Sequence, residues 1–457
     1  MSHRVVVVGG GFGGLYAART LASSSSGRQP VEVTLIDRRN FHLFQPLLYQ
    51  VATGGLSAVD IAYPLRVIFR HAKNVHTLLG EVVDIDVERR VVRLGDLEIS
   101  SVGELPPIRE IPYDSLILAT GSRHFYFGHE RWGQVAPGLK TLEDAQEIRR
   151  RILSAFEAGE QEADPDRRHA WLTFVIVGGG PTGVELAGAL GEIANDTLRG
   201  EFRTIRPEEA RIFLIEASPR VLGFYPADLS EKAAASLAKL GVLPLTGAHV
   251  VAIDAQGVDL DVAGQHRRIE SRTVLWAAGV QASGLGAILA TKTGAALDRA
   301  GRVTVGPYLA VPGHAEIYVI GDLAGATTTG TAALPAVAPV AMQQGEYVAG
   351  LIKARLKGRS TRPFHYHDHG SMATIGRASA VALIAGLKLS GWLAWTAWLF
   401  VHLMYLVGFQ NRLLVFIQWA FQYFTFNRRA RLITGQPAGL AQAAQDAAPG
   451  STATLSR

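Results

Sequence analysis

The chain of 457 residues contains no cysteine. This absence excludes disulfide bonds, iron–sulfur clusters held by cysteine and a redox-active dithiol. Any electron transfer must therefore run through bound cofactors. Charged residues make up only 19% of the chain, and no clustered Lys/Arg face indicates a nucleic-acid partner. No metal site is predicted.

Two glycine-rich stretches repeat one pattern about 170 residues apart. VVGGGFGGLY (7–16) and IVGGGPTGVE (176–185) each follow a β-branched run and open a segment of helical character. The glycines that fit G-x-G-x-x-G are Gly9, Gly11 and Gly14, then Gly178, Gly180 and Gly183. Such glycines let the backbone turn tightly and approach a pyrophosphate at the start of a helix. We therefore predict two Rossmann-like units that bind one dinucleotide each.

An acidic residue ends the next strand in both copies. Asp37 closes VEVTLID, and Glu216 closes ARIFLIE. A carboxylate in this place accepts hydrogen bonds from an adenosine ribose. Both lie farther on than the usual spacing, so the intervening helices or loops are expected to be long. Solvated strand ends are the alternative interpretation.

Further strand ends and linkers indicate how the domains of the chain are organised. ILATGS, WAAGV and IGDLAG each bring a strand to a glycine, and the regions around 75–83 and 91–94 are expected to form antiparallel strands. The order predicts an α/β fold with one unit inserted in the other. The expected regions are 1–122 with 300–350, 123–299 with a helix and polar linker at 141–170, a C-terminal region at 351–435, and a disordered tail at 436–457.

The C-terminal quarter is apolar and aromatic. From Ser379 to Phe426 the only cations among Lys and Arg are Lys388 and Arg412, and there is no acid. GWLAWTAWLFVHLMYLVGF (391–409) is long enough to span a membrane on length alone. An amphipathic helix at the membrane surface, a spanning hairpin and a buried dimer or core element all remain open, and the pattern favours the first.

Three groups of side chains support the surface helix. A polar stripe follows helical spacing at Asn411, Gln418, Gln422 and Thr425. Aromatics favoured at a lipid–water boundary are Trp392, Trp395, Trp398, Tyr405, Trp419 and Tyr423. Charge suited to lipid headgroups follows at Asn427, Arg428, Arg429 and Arg431.

The chain resembles the type II NADH dehydrogenases, which are single-subunit NADH:quinone oxidoreductases that pump no protons. The motifs that carry the resemblance are VVVVGGGFGGLYAA, LIDRRNFHLFQPLLYQVATGGLSAVDIAYPLR, ILATGS, VIVGGGPTGVELAG, LWAAGV, IGDLAG, APVAMQQG and HGSMATIGR, with the aromatic C-terminal block. The resemblance implies noncovalent FAD in the first unit, NADH in the second, a C-terminal helical membrane anchor and a homodimer.

The same resemblance assigns site residues. For FAD they are Gly9, Gly11, Phe12, Gly13, Gly14, Asp37, Arg38, Thr120, Gly121 and Asp322. For NADH they are Gly178, Gly180, Thr182, Gly183, Glu216, Ala278 and Gly279. Glu185 and Gln343 are the expected catalytic residues. The quinone site is expected at Ala338, Pro339, Met342, Gln343, Gln344 and His369.

Two positions depart from the family pattern. The motif A-Q-x-A-x-Q reads Ala338-Pro339-Val340-Ala341-Met342-Gln343 here, so its first glutamine is a proline without side-chain donors. His369 stands where many members carry a lysine before Gly-Ser-Met-Ala-Thr. A histidine at that position makes its charge depend on pH, unless it is an ordinary surface residue.

The resemblance implies hydride transfer from NADH to FAD, followed by reduction of a membrane quinone, either ubiquinone or menaquinone. The expected location is the cytoplasmic side of the inner membrane, with the C-terminal helices on the membrane surface. The alternatives are a flavin-dependent NAD(P)H reductase with a soluble acceptor and a non-catalytic, membrane-tethered dinucleotide-binding scaffold.

Overall fold

The computed structural model describes residues 2–22, 30–95, 109–326, 334–425, 428 and 430–434. The predicted tail at 436–457 lies outside the described residues, as do Asn427 and Arg429.

The helices and strands follow one another in three stretches. The first contains β1 (His3–Val8), α1 (Phe12–Ala22), β2 (Val31–Asp37), β3 (Phe41–Leu43), α2 (Leu48–Ala52), α3 (Ala58–Ile61), β4 (Ala62–Pro64), α4 (Leu65–Ile68), β5 (Val75–Leu79), β6 (Glu81–Asp86), β7 (Val91–Gly95), β8 (Glu110–Pro112), β9 (Ser115–Leu118), β10 (Ser122–His124) and α5 (Trp132–Val135). The second contains α6 (Leu142–Gln161), α7 (Pro165–Trp171), β11 (Thr173–Val177), α8 (Pro181–Glu192), β12 (Arg211–Glu216), α9 (Ala227–Lys239), β13 (Val242–Thr246), β14 (Ala248–Asp254), β15 (Gly257–Val262), β16 (Gln265–Glu270), β17 (Thr273–Trp276), β18 (Val280–Ala282) and α10 (Leu285–Thr293). The third contains β19 (Val303–Thr304), β20 (Ala310–Val311), β21 (His314–Val319), β22 (Ala324–Gly325), α11 (Ala338–Arg355), β23 (Ser371–Gly376), β24 (Ser379–Ile384), β25 (Leu387–Ser390), α12 (Gly391–Tyr405) and α13 (Phe409–Thr425).

Two parallel sheets form the centres of two Rossmann-like units. The first has the order β20-β21-β9-β1-β2-β5 and is parallel apart from β20. The second has the order β13-β12-β11-β17 and is parallel throughout. Their central strands are continuous apolar runs because both faces are buried under helices. The predicted α/β class with two Rossmann-like units is confirmed.

The first sheet brings together three strand ends that the sequence singled out. β1 lies parallel to β9, and β9 lies parallel to β21. Their carboxyl ends therefore meet at one edge, which is where ligands bind in open α/β sheets. β10 pairs with β18, which links the chain leaving the first sheet to the chain leaving the second.

Two local predictions were wrong in part. The stretch 75–83 is not one antiparallel strand, because β5 joins the first sheet parallel to β2 and a separate strand, β6, begins at Glu81. The antiparallel pairing predicted with 91–94 is found between β6 and β7. The polar linker expected within 141–170 is mostly helical. Asp164 starts α7 by accepting a hydrogen bond from the Arg167 amide, and Pro165 occupies the first turn.

The C-terminal region combines a small sheet with two helices, although only helices were expected there. β23, β24 and β25 form an antiparallel sheet. The 19-residue apolar stretch does not form one helix, since α12 is 15 residues long. Among the described residues, none of the helices combines the length and the apolar character needed to cross a membrane.

Helix α13 turns three residues of its polar stripe toward the protein, whereas the fourth, Thr425, is exposed. The Asn411 side chain donates to the Asp60 carbonyl at 3.2 Å, and the Gln418 side chain lies 3.4 Å from the Asp60 carboxylate. Gln422 donates to the carbonyl of Gly55. Several apolar side chains of the same helix are exposed: Leu413, Leu414, Phe416, Ile417, Phe421 and Phe424. The helix is amphipathic, as predicted, but its polar face is the one that packs on the protein.

Some of the residues predicted to contact lipid are instead part of the core. Trp398 is 2% exposed and Trp419 8%, and their rings lie 5.4 Å apart. Arg428 binds Glu192 at 2.6 Å, and Arg431 binds Glu201 at 2.7 Å. These two arginines therefore hold the end of the chain on the protein, and their assignment to lipid headgroups was wrong.

The packing of α8 against β23 generates a prediction about stability. A Cβ atom on Gly188 would lie 1.6 Å from the Ile375 carbonyl oxygen, so the helix and the strand would have to separate. We expect Gly188→Ala to lower the free energy of unfolding by about 2 kcal/mol or more. Thermal unfolding of the purified protein measures this loss.

The matched control is Gly350→Ala, on the exposed side of α11, where no atom lies within 4 Å of the added Cβ. Because alanine favours a helix over glycine, this change should stabilise by about 0.5–1 kcal/mol. Equal effects of the two substitutions would contradict the close contact.

Candidate functional site

The first glycine loop has the geometry of a phosphate site. Gly9 adopts a φ of +104°, and a Cβ on Gly14 would lie 1.8 Å from the Gly9 carbonyl oxygen. Both positions therefore exclude a side chain. Nothing lies within 4 Å of a Cβ built on Gly11, so this backbone faces open space at the start of α1. An anion there meets free amide hydrogens and the positive end of the helix.

Asp37 connects the loop to the end of β2. Its carboxylate accepts from the Gly10 amide at 2.5 Å and from the Arg39 amide at 2.7 Å. Burial raises the pKa of this carboxyl, while the two amide bonds oppose that shift. A carboxylate has room for further donors, so the predicted ribose contact is compatible with this role. The neighbouring Arg38 lies 4.0 Å from Glu81 at the surface.

The other predicted FAD residues lie at the ends of β9 and β21. Open space faces Gly121, as it faces Gly11. Asp322 accepts a 2.5 Å hydrogen bond from Ser122, which accepts one of 2.7 Å from the Lys140 ammonium. The Thr120 hydroxyl lies 2.5 Å from that of Ser283.

Two further residues at this edge, Ser122 and Lys140, were not predicted from the sequence. Lys140 is largely buried, and burial lowers its pKa. Its position in PGLKTLEDA carries no recognisable pattern. Only the fold brings this lysine to the edge where β9 and β21 end.

The residues of this edge fit FAD. The open glycines and the start of α1 suit a diphosphate, and a carboxylate and hydroxyls suit the ribose and ribityl chain. Phe12 and Gly13 belong to the same turn, and Gly13 packs against Ile320 and Ala341.

The second glycine loop has the same backbone geometry and the same type of carboxylate contact as the first. Gly178 has a φ of +111°, a Cβ on Gly183 would lie 1.8 Å from the Gly178 carbonyl oxygen, and Gly180 faces open space. The Glu216 carboxylate accepts from the Gly179 amide at 2.6 Å and from the Ser218 amide at 2.7 Å. Thr182 is exposed on the first turn of α8.

Gly279, predicted to contact NADH, lies just beyond β17. Ala278 precedes it, and the ring of Phe127 would lie 2.9 Å from a Cβ on Gly279. Phe127 is 59% exposed and has a φ of +53°, a backbone conformation rare for a bulky residue. An exposed aromatic ring therefore stands beside the end of this strand.

Glu185 lies in a cavity of about 640 Å³. The cavity is lined by α2, α8, α9, the β23–β24 hairpin, α12 and α13. Its walls include Tyr49, Gln50, Thr374, Trp395, Trp398, Trp419, Gln422 and Tyr423. Burial raises the pKa of Glu185 to about 8, opposed by a 3.4 Å hydrogen bond from the Thr374 amide. The cavity thus combines aromatic walls with a carboxyl that holds a proton at neutral pH.

An ion pair lines one side of this cavity. Glu192, at the end of α8, accepts from the Arg428 guanidinium at 2.6 Å and from the Arg377 amide at 2.5 Å. Arg428 also donates to the hydroxyl of Thr53 at 2.8 Å. This pair was not predicted from the sequence because its members, Glu192 and Arg428, lie 236 residues apart.

The residues predicted for the quinone site do not line the cavity that contains Glu185. Gln344 is buried and accepts from the Gly321 amide at 2.6 Å. Gln343 exchanges hydrogen bonds of 2.9 and 3.0 Å with the backbone of His367. His369 is exposed. The two glutamines thus hold backbone segments, and Gln343 is not brought to Glu185.

The remaining three members of that set lie on the first turns of α11. Pro339 fits there because its missing amide hydrogen costs no hydrogen bond. Met342 is buried, and Ala338 begins the helix.

Comparison with known proteins adds family matches over most of the chain. Residues 3–345 match the family described as pyridine nucleotide-disulphide oxidoreductase. Residues 368–429 match the NDH2 C-terminal domain.

Individual relatives agree with these matches. The chain is 46% identical to the type II NADH:quinone oxidoreductase Ndh of Mycobacterium tuberculosis, over 95% of this chain and 91% of that protein. It is 31% identical to the demethylphylloquinone reductase NdbB of Synechocystis, over 91% and 95% of the two chains. The solved structure of NDH2 from Plasmodium falciparum in complex with NADH has a TM-score of 0.83 at 19% identity, covering 95% of this chain and 100% of that one.

The environment of Glu185 generates a prediction about pH. Its pKa of about 8 lies above the ordinary value of 4.5. Between these values the folded protein binds a proton that the unfolded chain has released, so stability falls as pH rises. Glu185→Gln cannot ionise. We expect this variant to lack that part of the decline, and so to gain stability relative to the unaltered protein as pH rises.

Denaturant unfolding at about pH 5 and about pH 8.5 measures the difference. The same substitution at the exposed Glu157 is the control. An unchanged pH dependence in Glu185→Gln would refute the protonated carboxyl in the cavity.

Proposed function

The chain belongs to the type II NADH:quinone oxidoreductase family, and from that premise we propose a division of its reaction among the sites described above. It is an FAD-dependent NADH:quinone oxidoreductase. The repeated loop, with one strand-end carboxylate tied to each copy, is the observation that carries the proposal. The first loop binds FAD and the second binds NADH.

Bound FAD would supply the two-electron redox chemistry that connects NADH oxidation with quinone reduction. The chain's own residues bind and orient. The amides around Gly11 and Gly180 take the two pyrophosphates, with the start of a helix behind each. Asp37 and Glu216 take the adenosine riboses, and Glu216 favours NADH over NADPH because its charge repels a 2′-phosphate.

The quinone site of this proposal is the cavity around Glu185. Its aromatic walls suit a flat quinone ring, and its volume of about 640 Å³ lies within the range of small-molecule sites. Glu185 holds a proton at its carboxyl near neutral pH, where quinone reduction consumes protons. Gln343 and His369 do not line this cavity, so in this proposal they act indirectly. Both lie at or contact the segment that precedes β23, and β23 lines the cavity.

The exposed face of α13 supports the proposed membrane contact. Phe416, Ile417 and Phe424 are 49%, 54% and 79% exposed, and α13 also contributes to the cavity wall. An apolar face beside the cavity suits a substrate dissolved in the bilayer. The proposed location is the cytoplasmic side of the inner membrane, with ubiquinone or menaquinone as acceptor. The proposed assembly is a homodimer, which rests on the family alone.

Anaerobic spectroscopy of the purified protein in mild detergent tests the reaction. NADH should bleach the visible flavin absorbance, and a short-chain quinone should restore it. Bleaching without recovery would assign the protein to a soluble acceptor. Failure of NADH to bleach a bound flavin would leave only a dinucleotide-binding scaffold.

Replacing exposed apolar side chains tests the membrane contact. We expect the triple variant Phe416→Ser, Ile417→Ser and Phe424→Ser to lose most sedimentation with anionic lipid vesicles, because each replacement removes apolar surface that lipid would cover. Phe224→Ser, at a 65% exposed phenylalanine on the second unit, should sediment like the unaltered protein. Undiminished sedimentation of the triple variant would contradict the assignment of this face.

A further inference from the structure

A chain of hydrogen bonds runs from α13 into the cavity. The indole N–H of Trp419 donates to Oε1 of Gln50 at 2.7 Å. The amide Nε2 of Gln50 donates to the hydroxyl oxygen of Tyr49 at 2.9 Å. All three residues line the cavity that contains Glu185.

The donors and acceptors give this chain one direction. An indole N–H only donates, so the amide atom facing Trp419 must be the oxygen of Gln50. The NH₂ group of Gln50 therefore faces Tyr49 and uses its hydroxyl oxygen as an acceptor. The hydroxyl hydrogen of Tyr49 must then point away from Gln50. Trp419 thus fixes, through Gln50, which way the Tyr49 hydroxyl donates.

The surroundings of Tyr49 limit where that hydrogen goes. Tyr49 is buried, and burial together with the nearby Glu185 carboxyl raises the pKa of its hydroxyl, so it keeps its hydrogen. The titratable groups that face it are Glu185 and Glu192 from α8 and Arg428 from the chain after α13. Glu192 and Arg428 bind each other. The Tyr49 hydroxyl can therefore donate its hydrogen either to Glu185 or to a molecule in the cavity.

We propose that the Tyr49 hydroxyl donates a hydrogen bond to a carbonyl oxygen of the quinone, with its direction set by Trp419 through Gln50. The inference rests on the proposed function, since it names a substrate contact within the same cavity. Tyr49 touches the substrate, whereas Gln50 and Trp419 are positioning residues. No bond is made or broken in this contact.

The arrangement makes substrate binding depend on the C-terminal helix. Trp419 is buried at the inner side of α13, between side chains whose polar groups bind Asp60 and Gly55. A displaced α13 would remove the indole donor and leave the Gln50 amide free to turn. The turned amide would offer its oxygen to Tyr49 and draw the hydroxyl hydrogen out of the cavity.

A double-mutant cycle on the full-length protein in detergent tests the proposal. The variants are Tyr49→Phe, Trp419→Phe and both together, and the acceptor is a decyl-substituted ubiquinone. We expect Tyr49→Phe to raise KM for the quinone about threefold to tenfold, the range of one hydrogen bond. The FAD content and the midpoint of thermal unfolding should not change, which separates the lost hydrogen bond from a loss of folding.

The two changes should not be independent. Trp419→Phe should raise KM for the quinone about threefold in the presence of Tyr49, and by much less once residue 49 is phenylalanine, because the indole acts through the missing hydroxyl. Effects that multiply would overturn the relay, since they would indicate separate packing losses. An unchanged KM in Tyr49→Phe would overturn the role of Tyr49.

Tyr113→Phe is the matched control. Tyr113 lies in the core around the first sheet, and its buried hydroxyl has no hydrogen-bond partner among the described residues. This variant should keep the KM for quinone.

The unaltered protein separates the two possible failures. If it is reduced by NADH but reduces no quinone, the proposed function and this inference both fail. If it turns over normally with quinone, a negative result for the variants contradicts only the role of Tyr49.

Discussion

The close packing of α8 against β23 is the contact on which the site depends. A carbonyl oxygen of β23 occupies the space where Gly188 would carry a side chain. This single helix begins at the second glycine loop, carries Glu185 on its second turn and ends at Glu192. The approach to β23 therefore fixes the distance between the dinucleotide loop and the C-terminal region. The cavity lies where α8 faces the C-terminal region.

The two loops are the part of the site that sequence predicted best. Each needs glycine at two positions where a Cβ would lie 1.8 to 2.7 Å from backbone atoms, and these two positions lie within six residues of sequence. The carboxylates were recognisable because they end apolar strands, even though they lie 27 and 37 residues beyond the amides they bind. Local steric constraints therefore produce a glycine pattern that can be recognised in the sequence. The parallel pairing of strands then places each carboxylate beside its loop.

The C-terminal region was predicted less well because its side chains obtain their partners from distant parts of the chain. Helical spacing identified the polar stripe of α13, but spacing alone does not decide which face meets the protein. Asn411 and Gln418 turn inward because Asp60, some 350 residues earlier, offers acceptors there. Arg428 resembled a surface cation for the same reason, since Glu192 is not its neighbour in sequence. The family motif likewise located Gln343 but not its bonds to His367.

In α13 the polar side chains face the protein and the apolar side chains face outward, and this orientation links the fold to the proposed function. Polar groups of this helix are satisfied by the protein, so the helix cannot turn them to water without losing hydrogen bonds that hold it in place. Its outer face then leaves apolar side chains such as Phe424 exposed, which is unfavourable in water at roughly 25 cal/mol for each Å². Apolar surroundings remove that cost. A helix built this way is most stable where a lipid-soluble quinone is also available, and its inner face carries the indole of Trp419 that is hydrogen-bonded to Gln50 in the cavity wall.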